Sequence, residues 1–120
     1  FATDVCVPIS KLADCIEDTI TDIEAAGLTA PIVGHVGDGN FHVLPLAMPD
    51  DIDMHHKISE FSSRLAARSL ELGGTCTGEH GIGQGKSSYL RDEMGEAVDV
   101  MSNIKTTFDP NNILNPGKIF

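Results

Sequence analysis

The chain is poor in basic residues, with eight Lys and Arg against eighteen Asp and Glu, so its formal net charge is −10. Phosphate binding needs a basic face, which so few cations can hardly build, and nucleic acid is therefore excluded as an expected partner. Long apolar runs are also missing. None approaches the roughly 20 residues that a membrane-spanning helix requires.

The sequence contains few cysteines, and their spacing suggests no disulfide or metal-binding motif. Cys6, Cys15 and Cys76 are odd in number and form no CxxC motif. This usage favours a reducing compartment over a disulfide scaffold, and we expect free, mostly buried thiols. The chain also begins at Phe1 without an initiator methionine or a signal-like segment. At 120 residues it is the size of one domain, and we expect it to be part of a longer protein.

Hydrophobic spacing predicts a short strand around Cys6 and three helices. The first helix is expected to begin at Ser10 as N-cap, to end at Gly27, and to bury Leu12, Ile16, Ile20 and Ile23. The second is expected to be capped by Asp50 or Asp51 and to bury Met54, Ile58, Phe61, Leu65 and Leu72. The third contains Ala97, Val100, Met101 and Ile104 and stops at Asp109-Pro110.

Two extended runs, 31–36 and 41–46, flank Gly37-Asp38-Gly39-Asn40, and Asp-Gly is a strong hairpin signal. A two-residue Asp38-Gly39 loop would place His35 directly opposite His42, with both imidazoles on one face of the sheet. The opposite face would carry an apolar set for the core, Ile32, Val36, Phe41 and Val43. The whole order of elements predicts an α+β, ferredoxin-like sandwich with helices on one face of a mostly antiparallel sheet.

Two cross-strand histidines can converge on a metal ion, although a surface pair or a hydrogen-bonded core pair is also open. A third ligand is expected from Glu79 or His80 in the glycine-rich loop 73–85, since two histidines and one carboxylate leave a position free for water or substrate. Adjacent residues of an extended segment point apart, which favours Glu79 on the metal and His80 as a general base. Asp38 competes as the carboxylate but is explained by the turn, and Glu79-His80 could also be simply an exposed polar loop.

Other motifs are rejected. The segment 81–87 has His80 where a phosphate-binding P-loop needs a glycine, and no apolar strand precedes it as a dinucleotide fingerprint requires. His55 and His56 are expected to face solvent.

Three motifs carry a family resemblance: GHVGDGNFH at 34–42, GGTCTGEHGIGQGK at 73–86 and FDPNNILNPGKIF at 108–120. Together they resemble the C-terminal domain of FAD-linked oxidases, a family that includes D-lactate dehydrogenases, glycolate oxidase and D-2-hydroxyglutarate dehydrogenase. The resemblance implies that His35, His42 and Glu79 bind a divalent metal, zinc or manganese or iron, and that His80 takes the hydroxyl proton of the substrate. It also implies an FAD bound mainly by a separate N-terminal domain, with Asn115 near the flavin.

Within the family, the stretches 3–10 and 34–42 look most like the D-lactate dehydrogenase branch. The hydroxyglutarate branch tends to carry asparagine two residues after the second hairpin histidine, where this chain has Leu44. An apolar side chain there suits a small 2-hydroxy acid better than one with a second carboxylate, whose unpaired burial is costly. The expected full-length activity is therefore oxidation of D-lactate to pyruvate.

The resemblance further implies an electron acceptor, which is a cytochrome, a quinone or a flavoprotein. It places the protein in mitochondria if eukaryotic, or in the cytoplasm or at the inner membrane of bacteria. The fragment alone should be inactive, and its flavin-facing surface could be an apolar patch that promotes a homodimer. Two rival functions stay open: a self-contained His/His/Glu metal hydrolase and a non-enzymatic ferredoxin-like binding module.

Overall fold

A computed structural model describes residues 2–120, which form two compact units, one ending at Glu79 and one beginning at His80. Each unit is described by itself below. Among the described helices, none combines the length and the apolar content needed to cross a bilayer.

The first unit is an α+β sandwich. Its elements are β1 (Val5–Cys6), α1 (Ile9–Ala26), β2 (Ile32–His35), β3 (Asn40–Val43) and α2 (Ile52–Glu71). The strands form an antiparallel sheet in the order β1-β3-β2. An isolated antiparallel bridge joins Cys6 to Thr75 on the free side of β1. With this bridge in place of a fourth strand, the connectivity is that of a ferredoxin-like split βαβ fold, as predicted.

Helix α1 ends as the sequence predicts but begins earlier. Gly27 takes a left-handed conformation (φ 66°, ψ 34°), which glycine adopts without steric cost. The expected N-cap Ser10 is wrong. Pro8, whose ring fixes φ at −51°, precedes the first helical residue, and its carbonyl accepts from the Lys11 N–H at 2.7 Å. Of the predicted apolar face, Ile20 is 43% exposed, and Cys15 and Thr19 lie buried in its place.

Helix α2 confirms the predicted cap and apolar face. The Asp51 side chain accepts from the Met54 N–H at 2.9 Å, and Ile58, Phe61 and Leu65 are buried. The two helices are also joined by ion pairs, because Asp22 on α1 binds Arg64 at 2.7 Å and Arg68 at 3.0 Å on α2. His55 and His56 are exposed, as expected.

The hairpin register differs from the predicted one. His35 pairs with Asn40, and His42 pairs with Val33, so the two histidines are diagonal rather than directly opposite. The loop has four residues instead of two, and the Asp38 N–H donates to the His35 carbonyl at 2.8 Å. Gly39 is left-handed (φ 77°), and a side chain there would lie 2.0 Å from the Val7 carbonyl oxygen. The Asp38-Gly39 pair therefore belongs to a longer turn that packs against Val7, the residue after β1, whose N–H donates to the Gly39 carbonyl at 3.0 Å.

The strand alternation nevertheless separates a packing face from a polar face. Phe41 and Val43 are buried at 1% and 0% exposure in the core beneath the helices, with Ile32 packed against them. Val36, expected in this set, is 63% exposed in the turn. The opposite face of the sheet, called the polar face below, carries Asp4, Cys6, His35, Asn40 and His42.

The second unit contains α3 (Ser87–Met94) and α4 (Ala97–Phe108), followed by an irregular segment to Phe120. Helix α4 confirms the predicted third helix, whereas the sequence did not indicate α3. Arg91 and Asp99 join the two helices by an ion pair of 2.6 Å. The C-terminal segment returns to the glycine-rich loop, since the Ile119 N–H donates to the Gly83 carbonyl at 3.0 Å.

Candidate metal centre

His42 is the most buried candidate ligand, with a side chain only 10% exposed. Its Nδ1 lies 3.0 Å from the Thr3 carbonyl oxygen. A carbonyl can only accept, so Nδ1 carries the proton of this bond. The Nε2 atom is therefore the nitrogen of the neutral ring that can act as a ligand, because the backbone contact fixes both the tautomer and the ring orientation.

Glu79 brings a carboxylate to this position from the middle of the glycine-rich loop. Its Oε1 lies 3.0 Å from His42 Nε2 and 3.4 Å from His35 Nε2. The Glu79 side chain is half exposed, at 50%, so one side of the carboxylate still faces open space. Two imidazole nitrogens thus converge on one carboxylate oxygen.

His35 completes the group from the end of β2, with a side chain 60% exposed. Its ring centroid is 6.0 Å from that of His42, and the ring planes are at 89° to each other. The diagonal register therefore still brings the two rings together on the polar face. Asp38, the competing carboxylate, does not belong to this group of three ligand atoms.

The donor set fits a divalent metal. The three ligand atoms lie within 4.8 Å of one another. Metal bonds of about 2.0–2.2 Å place neighbouring ligand atoms about 3 Å apart. The distances from Glu79 Oε1 to His42 Nε2 and His35 Nε2, 3.0 Å and 3.4 Å, are close to this spacing. Without a cation, the lone pair of a neutral His42 Nε2 would face a carboxylate oxygen, which is unfavourable. A metal ion held between these atoms would relieve that repulsion, and nitrogen and oxygen ligands suit several first-row metals.

Behind the ligands lies a buried polar layer that the sequence analysis missed. Asp4 is fully buried and accepts hydrogen bonds from Asn40 Nδ2 at 2.8 Å, Thr77 Oγ1 at 2.8 Å and the Glu79 N–H at 3.0 Å. The backbone of the loop approaches this layer closely at Gly78. A Cβ there would lie 1.9 Å from Asn40 Nδ2, so any larger residue would displace the Asn40 amide from its bonds to Asp4 and Val5.

A cleft of about 370 Å³ opens beside the ligands. It is lined by Cys6, His35, Asp38, Asn40, Gly78 and Glu79. Burial and the nearby charges of Asp38 and Asp4 raise the pKa of the Cys6 thiol. Cys6 is therefore kept as the neutral thiol, a poor ligand and nucleophile.

His80 and Asn115 belong to the second unit. His80 is its first residue, follows Glu79 directly in the chain and is exposed. Asn115 lies in a turn at φ 49° and lines a cleft of about 390 Å³ with Met101, Ile104, Lys105, Leu114, Lys118, Ile119 and Phe120. The structure thus brings His35, His42 and Glu79 together within the first unit and places Asn115 in an apolar cleft of the second.

Comparison with known proteins assigns the chain to a family. It is 51% identical over 120 residues to "Probable D-lactate dehydrogenase, mitochondrial" of Danio rerio, which covers 99% of the chain and 24% of that protein. It is 47% identical over 122 residues to "D-lactate dehydrogenase [cytochrome] 1, mitochondrial" of Saccharomyces cerevisiae, covering 100% and 20%. It is 42% identical over 118 residues to "D-lactate dehydrogenase [cytochrome], mitochondrial" of Arabidopsis thaliana, covering 98% and 21%.

The chain therefore spans about a quarter or less of the length of these relatives. The family model that describes the C-terminal domain of FAD-linked oxidases matches residues 1–119, which include both compact units. The chain belongs to the family of FAD-linked oxidase C-terminal domains.

Proposed function

We propose that the chain is the metal- and substrate-binding domain of an FAD-dependent D-2-hydroxyacid dehydrogenase, with D-lactate as the first substrate. The observation that carries the proposal is the convergence of His35, His42 and Glu79 on the polar face of the sheet. A separate N-terminal domain of the full-length protein would hold most of the FAD. Family membership favours this function over a stand-alone hydrolase or a non-enzymatic binding module.

His35, His42 and Glu79 would hold the metal, zinc or manganese or iron. When bound, this ion would supply Lewis acidity that lowers the pKa of a substrate hydroxyl. The exposure of His35 and Glu79 leaves the centre open on the side of the cleft, so a small 2-hydroxy acid could reach it. The more buried His42 anchors the site to β3.

His80 would act as the general base that removes the hydroxyl proton of the substrate. Its position directly after Glu79 and its exposure support this role. The FAD held mainly by the separate N-terminal domain would supply the acceptor for the α-hydrogen of the substrate, which would leave as hydride in the oxidation of D-lactate to pyruvate. Asn115 would lie near the flavin.

The substrate and acceptor are proposed from this chain and from the names of its relatives. Leu44, two residues after His42, is partly buried and apolar, which suits a methyl-bearing acid. The three relatives described above are named D-lactate dehydrogenases, and two of these three names include cytochrome, which favours a cytochrome as electron acceptor. All three are also named mitochondrial, so we propose this location if the source is eukaryotic; fractionation of the source cells would test it.

Metal analysis tests the centre directly. The full-length protein, dialysed against metal-free buffer at neutral pH, should retain near-stoichiometric zinc, manganese or iron by elemental analysis. His42→Ala should lose it, because the variant lacks the most buried ligand. His56→Ala is the matched control, since His56 is exposed on α2 outside the centre, and it should retain the metal. An equal metal content in the His42 and His56 variants would contradict the ligand assignment.

Steady-state kinetics with D-lactate and a dye acceptor test the base. His80→Ala in the full-length, flavin-loaded enzyme should lower kcat by about two to four orders of magnitude, as loss of a general base does. Its metal content should stay that of the wild type, because His80 is not among the three proposed ligands. A loss of tenfold or less would remove the assignment of His80. Wild-type enzyme that does not oxidise D-lactate but oxidises another 2-hydroxy acid would overturn the substrate alone.

A further inference from the structure

Asp4 is a fully buried carboxylate on the polar face of the sheet, with its side chain 0% exposed. Its Oδ1 accepts from Asn40 Nδ2 at 2.8 Å. Its Oδ2 accepts from Thr77 Oγ1 at 2.8 Å and from the Glu79 N–H at 3.0 Å. Three donors on two oxygens are the bonding pattern of an ionised carboxylate, which accepts but does not donate.

The partners of Asp4 connect it to two of the three candidate ligands. The bond from the Glu79 N–H fixes the main chain of the residue that supplies the carboxylate ligand. Asp4 Oδ1 also lies 3.7 Å from His42 Nδ1, the nitrogen that carries the proton bonded to Thr3. At this distance the negative charge acts on the protonated side of the ring by its field rather than by a hydrogen bond.

The surroundings of Asp4 are built around its role as an acceptor. Asn40 Nδ2 donates both to Asp4 and to the Val5 carbonyl at 2.9 Å, while its buried Oδ1 has no partner among residues 2–120. Because the amide oxygen has no partner, the orientation of the Asn40 side chain is set by the hydrogen bonds of its NH₂ group, one of which goes to Asp4. Gly78 lets the loop backbone reach this layer, since a Cβ there would lie 2.9 Å from Asp4 Oδ1.

We propose that Asp4 is the positioning residue of the metal centre, which holds the loop carrying Glu79 against the strand carrying His42. This inference rests on the proposed function, because it assumes that the three ligands bind a metal. Asp4 itself acts through Glu79 and His42 and is not proposed as a ligand. Outer carboxylates of this kind orient ligands and typically change metal affinity by about 10–100-fold when they are replaced.

The test measures metal affinity of the full-length protein by competition with a chelator, using Zn²⁺ as the probe. Asp4→Asn keeps the size of the side chain but replaces one carboxylate oxygen by an NH₂ group. Only one acceptor oxygen then remains for the donors from Asn40, Thr77 and Glu79. We expect its affinity for Zn²⁺ to fall by about 10–100-fold. Asp18→Asn, an exposed position on α1, is the matched control and should bind as the wild type does.

A second variant protects the test against loss of folding. Thr77→Val is nearly isosteric and removes only the hydroxyl that donates to Asp4. It should lower the affinity for Zn²⁺ by a smaller factor, about two- to tenfold. The double variant Asp4→Asn/Thr77→Val should bind little worse than Asp4→Asn alone, because both changes act through the same carboxylate. The visible spectrum of bound Co²⁺ supplies a readout of ligand geometry that loss of stability alone would not move. We expect its bands to shift in both variants at saturating Co²⁺.

The outcomes separate the two proposals. A wild-type protein that binds no Zn²⁺ overturns the proposed metal centre and this inference with it. A wild-type protein that binds Zn²⁺, together with folded Asp4→Asn and Thr77→Val proteins whose affinity and Co²⁺ spectrum match those of Asp18→Asn, overturns the role of Asp4 alone. If Asp4→Asn does not fold, an unchanged affinity and spectrum in Thr77→Val still overturn it.

Discussion

Asp109 follows α4 directly, and its side chain links the last turn of the helix to the segment after it. Its carboxylate accepts from the Ile113 and Leu114 N–H groups, both at 2.9 Å, and pairs with the Lys105 ammonium. The bond from Lys105 is the largest cause that lowers the pKa of Asp109 from 3.8 to about 2; the two N–H donors lower it further, while desolvation opposes them. A carboxyl whose pKa is lowered on folding stabilises the native state above its unfolded pKa, and that stabilisation is lost as pH falls towards 2.

This pKa can be measured residue by residue. The carboxyl ¹³C shift of Asp109, followed by NMR from neutral pH downwards, should titrate with a midpoint near 2. Lys105→Met should raise the midpoint towards the ordinary value, because it removes the largest stabilising donor while the N–H bonds remain. Equal midpoints in the two proteins would show that Lys105 does not set the pKa.

The residues of the site divide into those that a sequence can indicate and those that it cannot. His35, His42 and Glu79 stand out because histidine and glutamate are common metal ligands, and because the two histidines flank an Asp-Gly turn while Glu79 lies in a glycine-rich loop. Asp4 carries no such signal: next to the strand Val5–Cys6 it looks like an ordinary solvent-facing acid. Its burial depends on Asn40 and Thr77, which are 36 and 73 residues away along the chain. Only the fold brings those donors to it.

At the scale of elements, strong local signals gave the right structures. The left-handed Gly27, the Asp51 cap and the apolar spacing of α2 act within a few residues, so they are legible in sequence. Helix α3 was missed because its eight residues bury only Leu90 and show no repeating apolar face. The C-terminal end of the chain likewise depends on a contact with Gly83 that no local pattern encodes.

The hairpin shows why a register error left the site intact. The predicted pairing of His35 with His42 became His35 with Asn40, a shift of two residues along β3. Because side chains alternate between the two faces with a period of two, a shift of two keeps each residue that remains in a strand on its face, whereas Val36 leaves the strand for the turn. A shift of one would have placed His42 in the core and Phe41 on the polar face. The face of the sheet on which a strand residue lies is therefore predicted more reliably from sequence than the length of the turn.

At the scale of the molecule, buried apolar side chains are unequally shared between the two units. The core cluster of buried residues lies entirely within the first unit and includes Phe41, Val43, Phe61 and Leu65. The buried apolar residues described in the second unit are Leu90 and Val98, whereas Phe108 and Ile113 there are 81% and 74% exposed. Since burial of apolar surface supplies most of the driving force for folding, the second unit should open more easily.

Native-state hydrogen exchange of the 120-residue chain tests this difference. Amides of β3 and of the middle of α2 should exchange slowest, and those in the middle of α4 should exchange at least about tenfold faster after correction for intrinsic rates. Both helices have hydrogen-bonded interiors, so comparing α2 with α4 controls for secondary structure. Low denaturant should accelerate exchange in α4 first, because local opening of the second unit exposes less surface than global unfolding. Equal protection of α2 and α4, rising and falling together with denaturant, would instead mean that the two units unfold as one cooperative structure.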